Sequence, residues 1–145
     1  MSDLSSLIKA YDVRGVVPDE WDEDVSRAIG AAFAEFVVTD SGATSVVTAH
    51  DMRDSSPPLA AAFGEGVTGQ GLDVVSIGLA STDMLYYASG TLGLPGAMFT
   101  ASHNPAQYNG IKMCRAFASP IGRESGLVEI RDLAGAGVTL SLIHI

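Results

Sequence analysis

Apolar residues along this chain alternate between the spacing of amphipathic helices and the short runs typical of buried strands. Helical spacing occurs in four segments, at about 23–38, 57–69, 82–90 and 124–133. Four short apolar runs predict strands, at 46–49, 73–77, 97–100 and 110–115. Strands that alternate with helices predict a three-layer α/β/α domain, with helices on both faces of a mainly parallel, mixed sheet of four strands.

Residues with strong positional preferences mark the helix ends. Asp22 is a good N-cap for the first helix, and Pro57 suits the first turn of the second. The third helix begins near residues 81–82. In sheets of this kind ligands bind at the loops beyond the carboxyl ends of the strands. We therefore expect a site at the loops 49–56 and 100–109.

The composition is that of a globular chain with a substantial core. Of its 145 residues 47% are apolar and 17% are charged, and the formal net charge is −9. A chain this acidic does not suit the phosphate backbone of a nucleic acid. No apolar run approaches the about 20 residues of a membrane span, and no signal peptide precedes the first helix. The single cysteine, Cys114, excludes an internal disulfide, and we expect it to be a quiet core thiol in a cytoplasmic protein. From the charge and the lack of a membrane span we expect no nucleic-acid and no membrane partners.

The end of the chain differs in character from the rest. Residues 138–145 (VTLSLIHI) are apolar and strand-like, where a polar linker would be typical. We assign 1–137 to the domain and expect 138–145 to lie outside it. A strand of a further domain, a swapped edge strand and sequence foreign to the fold are the three interpretations of this tail.

The stretch with the clearest chemical content is 100–112 (TASHNPAQYNGIK). Ser102 follows a buried strand with His103 beside it, and Pro105 restricts the residue before it to an extended conformation. The returning strand could bring the amine of Lys112 back toward Ser102. A hydroxyl near a cation suits a phosphoryl carrier, since the cation offsets charge on the transferring group. A plain hairpin loop with a capping serine and a solvated lysine explains the same residues.

This stretch resembles the active-site loop of the α-D-phosphohexomutases, the family of phosphomannomutase and phosphoglucomutase. Three other segments resemble motifs of the same family in the same order, at 9–15 (KAYDVRG), 51–56 (DMRDSS) and 78–88 (GLASTDMLYYA). The resemblance covers the chain from Lys9 to about Leu133. It implies the three-layer fold predicted above and identifies the chain as similar to the first domain of such an enzyme.

The resemblance also implies roles for particular residues. Ser102 would be the phosphoserine, and His103 would assist beside it. Lys112 would act as general acid/base or as a charge clamp, Arg14 would hold phosphate or orient Lys112, and Tyr11 would line the entrance to the cleft.

Three further charged residues in the matching motifs, Lys9, Asp51 and Arg53, are expected to hold loops in place through ion pairs and backbone hydrogen bonds.

The implied reaction interconverts hexose 6-phosphate and hexose 1-phosphate through the phosphoserine and a bound glucose or mannose 1,6-bisphosphate. Mg²⁺ is the implied cofactor, with a phosphate oxygen on Ser102 as one ligand and aspartates of a second domain as the others. Domains 2–4 of the family are not represented in the sequence, so we expect them as partners and expect the chain to be inactive alone. A non-catalytic sugar-phosphate-binding module and a purely structural fragment remain alternatives.

Overall fold

Helices and strands alternate along the part of the chain that the computed structural model describes, residues 4–137. The α-helices are α1 (Glu23–Ser41), α2 (Ser56–Gly69), α3 (Thr82–Leu92) and α4 (Leu127–Ala136). The strands are β1 (Val13–Val16), β2 (Ser45–His50), β3 (Asp73–Leu79), β4 (Gly96–Phe99), β5 (Tyr108–Arg115) and β6 (Ser119–Pro120). The predicted tail, 138–145, lies outside the described residues.

All six strands belong to one mixed sheet, in the order β1-β5-β4-β2-β3, with β6 pairing to β5. Strand β2 runs parallel to β3 and β4, whereas β5 runs antiparallel to β1, β4 and β6. The α/β/α class is confirmed, but the predicted count of four strands is wrong, and antiparallel pairings outnumber parallel ones. Strands β1 and β6 are too short to show a periodicity, and both exist through pairing with β5.

The two faces of the sheet carry separate apolar cores. On one face α1, α2 and α4 cover the larger core, where the rings of Phe33, Phe63 and Phe99 pack against one another. On the other face α3 covers a smaller core that includes Leu85, Met98 and Cys114. Neighbouring strand residues face opposite cores because side chains alternate along a strand.

Helices α1 and α2 approach each other closely through two glycines. A Cβ atom built on Gly66 would lie 2.0 Å from the carbonyl oxygen of Arg27, and one built on Gly30 would lie 2.1 Å from that of Phe63. Only glycine leaves room for such backbone contact. This contact fixes α2, whose N-terminus carries one of the loops at the carboxyl edge of the sheet.

The helix ends follow the predicted signals. The Asp22 carboxylate accepts a hydrogen bond from the Val25 amide, 3.1 Å, at the start of α1. The Ser81 hydroxyl accepts one from the Met84 amide, 3.1 Å, at the start of α3. The last predicted helix is divided, because Gly126 (φ +146°) separates a single 3-10 turn from α4. None of the helices within 4–137 is long and apolar enough to cross a membrane.

Candidate functional site

Two loops meet at the carboxyl edge of the sheet. The parallel strands β2 and β4 lie side by side and end there at His50 and Phe99. The loop 51–55 connects β2 to α2, and the loop 100–107 connects β4 to β5. Both predicted site loops are therefore neighbours, as expected for a sheet of this kind.

The Arg53 side chain holds the loop between β4 and β5 by hydrogen bonds to backbone carbonyls. Its Nη1 donates to the carbonyl oxygens of Pro105, 2.7 Å, and Tyr108, 3.0 Å. Its Nη2 donates to those of Ser102, 2.9 Å, and Asn104, 2.8 Å. Only 8% of the Arg53 side chain is exposed. The predicted bracing role of this residue is confirmed.

Asp51 anchors Arg53 in turn. One carboxylate oxygen lies 3.3 Å from the Arg53 Nε, and the other accepts the Arg53 amide, 3.0 Å, and the Ser56 hydroxyl, 2.5 Å. Burial alone would raise the pKa of Asp51. Hydrogen bonds from Ser56, the Arg53 amide and Thr100, together with the charge of Arg53, outweigh it and lower this pKa below its ordinary value. Asp51 is therefore charged at neutral pH.

Asn109 makes a second connection between the two loops. This fully buried side chain donates to the Ser55 hydroxyl, 2.8 Å, and the Ser56 hydroxyl, 2.9 Å. Its oxygen accepts the Gly110 amide, 2.8 Å. Asn109 lies within β5, whereas the sequence pattern Asn-Gly favours a turn. The signal that would have identified it is an amide in an otherwise apolar strand, which needs a buried partner.

Ser102 adopts a backbone conformation that is uncommon outside glycine. Its φ is +53°, in the left-handed region, where a side chain crowds the backbone. Its amide donates to the Thr100 hydroxyl, 3.0 Å, and its carbonyl accepts from Arg53. The residue is exposed, and within 4–137 no protein group hydrogen-bonds its own hydroxyl. A small molecule can reach this hydroxyl across a depression of about 570 Å³ that Asp54 also lines.

The predicted cations Arg14 and Lys112 lie close to a common carboxylate. Arg14 on β1 pairs with Gly110 of β5, which places its side chain on the same sheet face as that of Lys112, two residues along. Asp12 lies 4.0 Å from the Arg14 Nε. Burial raises the pKa of Asp12, and the positive charges of Arg14, Lys112 and Lys9 partly counter this rise.

These cations are not joined directly to Ser102. Lys112 lies opposite Met98 in the sheet, four positions before the serine. Among the described residues, neither Lys112 nor Arg14 makes a hydrogen bond or ion pair with Ser102 or with its exposed neighbour His103. Among the described residues, the loop 100–107 and the cations around Asp12 are therefore two groups without a direct polar contact between Ser102 and one of these cations.

Tyr11 is 74% exposed and lies beside the turn at 122–125. Lys9, nearby, donates from its Nζ to the Ser6 carbonyl, 3.0 Å, and its amide donates to the Asp12 carbonyl, 2.8 Å. These bonds hold the segment before β1, so the structural role expected for Lys9 is confirmed. The expected core thiol is confirmed as well, since Cys114 is buried and burial raises its pKa.

The described residues do not by themselves form a magnesium site. No group of three His, Cys, Asp or Glu side chains within 4–137 is arranged to hold a metal ion. The Asp51 carboxylate, which is linked to the loop 100–107 through Arg53, already accepts hydrogen bonds from Arg53 and Ser56.

Residues 5–136 match the family model described as "Phosphoglucomutase/phosphomannomutase, alpha/beta/alpha domain I". A Xanthomonas campestris pv. campestris (strain B100) protein named "Phosphohexose mutases" is 46% identical over 129 residues, 88% of this chain and 28% of that protein. The "Phosphomannomutase" of Salmonella typhimurium (strain LT2) is 40% identical over 133 residues, 91% of this chain and 28% of that protein. The crystal structure of a phosphoglucomutase/phosphomannomutase family protein from Burkholderia thailandensis superposes with a TM-score of 0.81 at 36% identity, covering 90% of this chain and 30% of that one. The chain thus spans less than a third of the length of these three proteins.

Proposed function

We propose a phosphoryl-carrying role for this chain, which belongs to the phosphoglucomutase/phosphomannomutase family and corresponds to its α/β/α domain I. The proposed reaction is the interconversion of hexose 6-phosphate and hexose 1-phosphate, with Ser102 as the residue that holds the phosphoryl group between the two half-reactions. The observation that carries the proposal is the Ser102 loop itself. Its hydroxyl is exposed and makes no hydrogen bond with a described residue, while Arg53 holds the carbonyls of Ser102 and Asn104.

The phosphoryl group would be transferred in two steps. In the first, phosphoserine 102 donates its phosphoryl group to the free hydroxyl of a hexose monophosphate. The bond between phosphorus and the Ser102 oxygen breaks as the bond to the sugar oxygen forms, the sugar hydroxyl loses its proton and the serine regains one. The product is a bound glucose or mannose 1,6-bisphosphate. In the second step the other phosphate of this intermediate returns to Ser102 by the reverse transfer.

The remaining predicted residues have roles that fit where they lie. Lys112 and Arg14 would stabilise the negative charge of a phosphate that reaches from Ser102 toward Asp12, because preorganised cations stabilise developing charge. Lys112 would also move the proton of the reacting hydroxyl. His103 would assist beside the serine, and Tyr11, exposed near β1, would contact the sugar at the entrance.

Magnesium would neutralise charge on the transferring phosphoryl oxygens. Within 4–137 the phosphate on Ser102 would supply one of its ligands. We propose that parts of the relatives beyond this match supply its other ligands and the sugar specificity, and that the chain works in the cytoplasm, where Cys114 stays reduced.

The test is phosphate uptake on Ser102. The chain would be prepared alone and as a chimera, in which it replaces the matching segment of the Salmonella typhimurium phosphomannomutase. Each form is incubated with glucose 1,6-bisphosphate, and the modified residue is located by peptide mass mapping. In the chimera we expect one phosphoryl group on Ser102, no uptake in Ser102→Ala, and normal uptake in Ser119→Ala, which changes an exposed serine on β6.

Mutase activity is measured on the chimera with mannose and glucose phosphates. Interconversion that depends on Ser102 supports the proposal. A folded chimera that binds hexose phosphates but accepts no phosphoryl group would overturn it and favour the non-catalytic sugar-phosphate-binding module.

A further inference from the structure

We propose that Arg53 is a positioning residue for phosphoryl transfer. It acts on Ser102 through the backbone of residues 102–108 (the 102–108 loop, which includes the first residue of β5) and does not contact the substrate. This inference rests on the proposed function, since it assigns the residue that sets the geometry of the reacting serine.

The donors of Arg53 are all engaged. A guanidinium has five N–H groups, one on Nε and two on each terminal nitrogen. The Nε group is directed at Asp51, and the terminal nitrogens make four hydrogen bonds to carbonyls of the 102–108 loop. None remains for a phosphate. Arg14 differs in this respect, because its contact in the described chain is an ion pair of 4.0 Å with Asp12.

The position of these carbonyls explains why Ser102 keeps its conformation. A serine with φ +53° is disfavoured unless its surroundings hold it there. Arg53 binds the carbonyl of Ser102 itself and that of Asn104, so the peptide groups that follow the serine are fixed. The Thr100 hydroxyl accepts the Ser102 amide on the other side. The hydroxyl of Ser102 is thus presented from a backbone held at both ends.

The planar shape of the guanidinium is essential to this arrangement. Lysine carries three donors on a single nitrogen and cannot place paired donors on carbonyls spread over the 102–108 loop. Arg53→Lys therefore keeps the positive charge beside Asp51 but loses the paired geometry. This makes Arg53→Lys the most informative variant, with Arg27→Lys as its matched control, because Arg27 makes only exposed ion pairs with Asp24 and Glu65.

The first readout is amide hydrogen exchange of the chain itself. The amides of Ser102, Asn104 and Tyr108 all donate within the loop, at 3.0 Å each. In Arg53→Lys we expect their exchange to be about tenfold faster or more, with β2 and β4 amides unchanged. Equal acceleration in β2 and β4 would mean a general stabilising role, and unchanged loop exchange would mean that Arg53 does not order the loop. Either result would overturn the proposal.

The second readout is the rate of phosphate uptake from glucose 1,6-bisphosphate by the chimera. We expect Arg53→Lys to lower the maximal rate about tenfold or more while the half-saturating concentration stays unchanged, because only the geometry of the transfer is lost. Added guanidinium ion should restore part of the rate to Arg53→Ala. A raised half-saturating concentration with an unchanged maximal rate would show that Arg53 binds substrate, against the proposal.

The two proposals can fail separately. If the unmodified chimera accepts no phosphoryl group, the proposed function fails, and hydrogen exchange still decides whether Arg53 orders the loop. If Arg53→Ala does not fold, Arg53→Lys carries both readouts.

Discussion

The guanidinium of Arg53 and the carbonyl oxygen of Ser102 lie 2.9 Å apart, although the residues are 49 positions apart in sequence. Arg53 precedes α2 and Ser102 follows β4, so this hydrogen bond joins the two loops at the carboxyl edge of the sheet. Hydrogen bonds to a charged group contribute more to stability than neutral ones. The backbone conformation of Ser102 is therefore linked to the position of α2.

Replacing Ser102 should separate backbone conformation from chemistry. Because φ is +53°, Ser102→Gly relieves crowding that Ser102→Ala retains. We expect the glycine variant to be more stable than the alanine variant by about 0.5–1 kcal/mol. This is the free-energy cost of a side chain in the left-handed region, reduced by the larger conformational entropy that glycine loses on folding. Denaturant unfolding measures the difference, and both variants should accept no phosphoryl group. Equal stabilities would indicate that the loop relaxes out of the left-handed region.

Asp51 should make the stability of the domain depend on pH. Its pKa is lowered in the folded chain from an ordinary value of 3.8. A lowered acid pKa means that the stabilisation is fully present above 3.8 and is lost as pH falls through the folded value. Asp51→Asn lacks this contribution. The difference in free energy of unfolding between the unmodified chain and this variant should therefore shrink as the pH falls below the ordinary pKa of Asp51, 3.8. Unfolding measured from about pH 6 to about pH 3 checks this, and a deficit that stays constant across the range would contradict it.

The contact between α1 and α2 should tolerate no side chain at Gly66. A Cβ there would lie 2.0 Å from the Arg27 carbonyl oxygen and 2.8 Å from the Ala31 amide nitrogen, both backbone atoms. We expect Gly66→Ala to lower the free energy of unfolding by about 3 kcal/mol or more, since the helices must separate. The matched control is Gly64→Ala on the same helix, where the new Cβ would meet only Val74 methyls, at 3.8 Å and beyond. That change should be neutral or stabilising by up to about 1 kcal/mol. Thermal unfolding of the two variants checks this, and a Gly66→Ala variant as stable as Gly64→Ala would contradict the prediction.

The cations around Asp12 should affect the transfer without affecting the loop. Lys112→Met and Arg14→Met should each lower the rate of phosphate uptake by the chimera about 10- to 100-fold, because a stabilising charge is lost. Exchange of the 102–108 amides should not change, since within 4–137 neither cation makes a hydrogen bond or ion pair with that segment. Arg131→Met, which removes an ion pair with Asp132 on α4, is the control. Normal uptake in both cation variants would remove them from the proposed mechanism.

Local signals predicted the helices well. Asp22 and Ser81 cap α1 and α3 as expected, because a cap acts on amides two or three residues away and needs no distant partner. The short strands were missed for the opposite reason. Val13–Val16 forms β1 only because β5 lies alongside, with Arg14 opposite Gly110.

The site was predicted in part. The expected bracing role of Arg53 is confirmed by its hydrogen bonds to the loop carbonyls, whereas the roles of Ser102, Lys112 and Arg14 that the family resemblance implies stay predictions. Asn109 was expected in the loop 100–109 and is instead a buried part of β5 that holds α2. The register of β5 against β4 places Lys112 opposite Met98, and its charge partly counters the raised pKa of Asp12, while its expected return toward Ser102 stays a prediction.

By itself the sequence determined the α/β/α class, the order of the helices and of the four predicted strands, and the family, since these follow from periodicity, capping and motif order along the chain. Tertiary structure decided which groups meet. The pairing of β1 with β5 brings Arg14, Asp12 and Lys112 together, and the approach of α1 and α2 carries Arg53 to the Ser102 loop. Hydrogen bonds and ion pairs act over a few ångströms, and residues distant in sequence come within that range only when the whole sheet has formed.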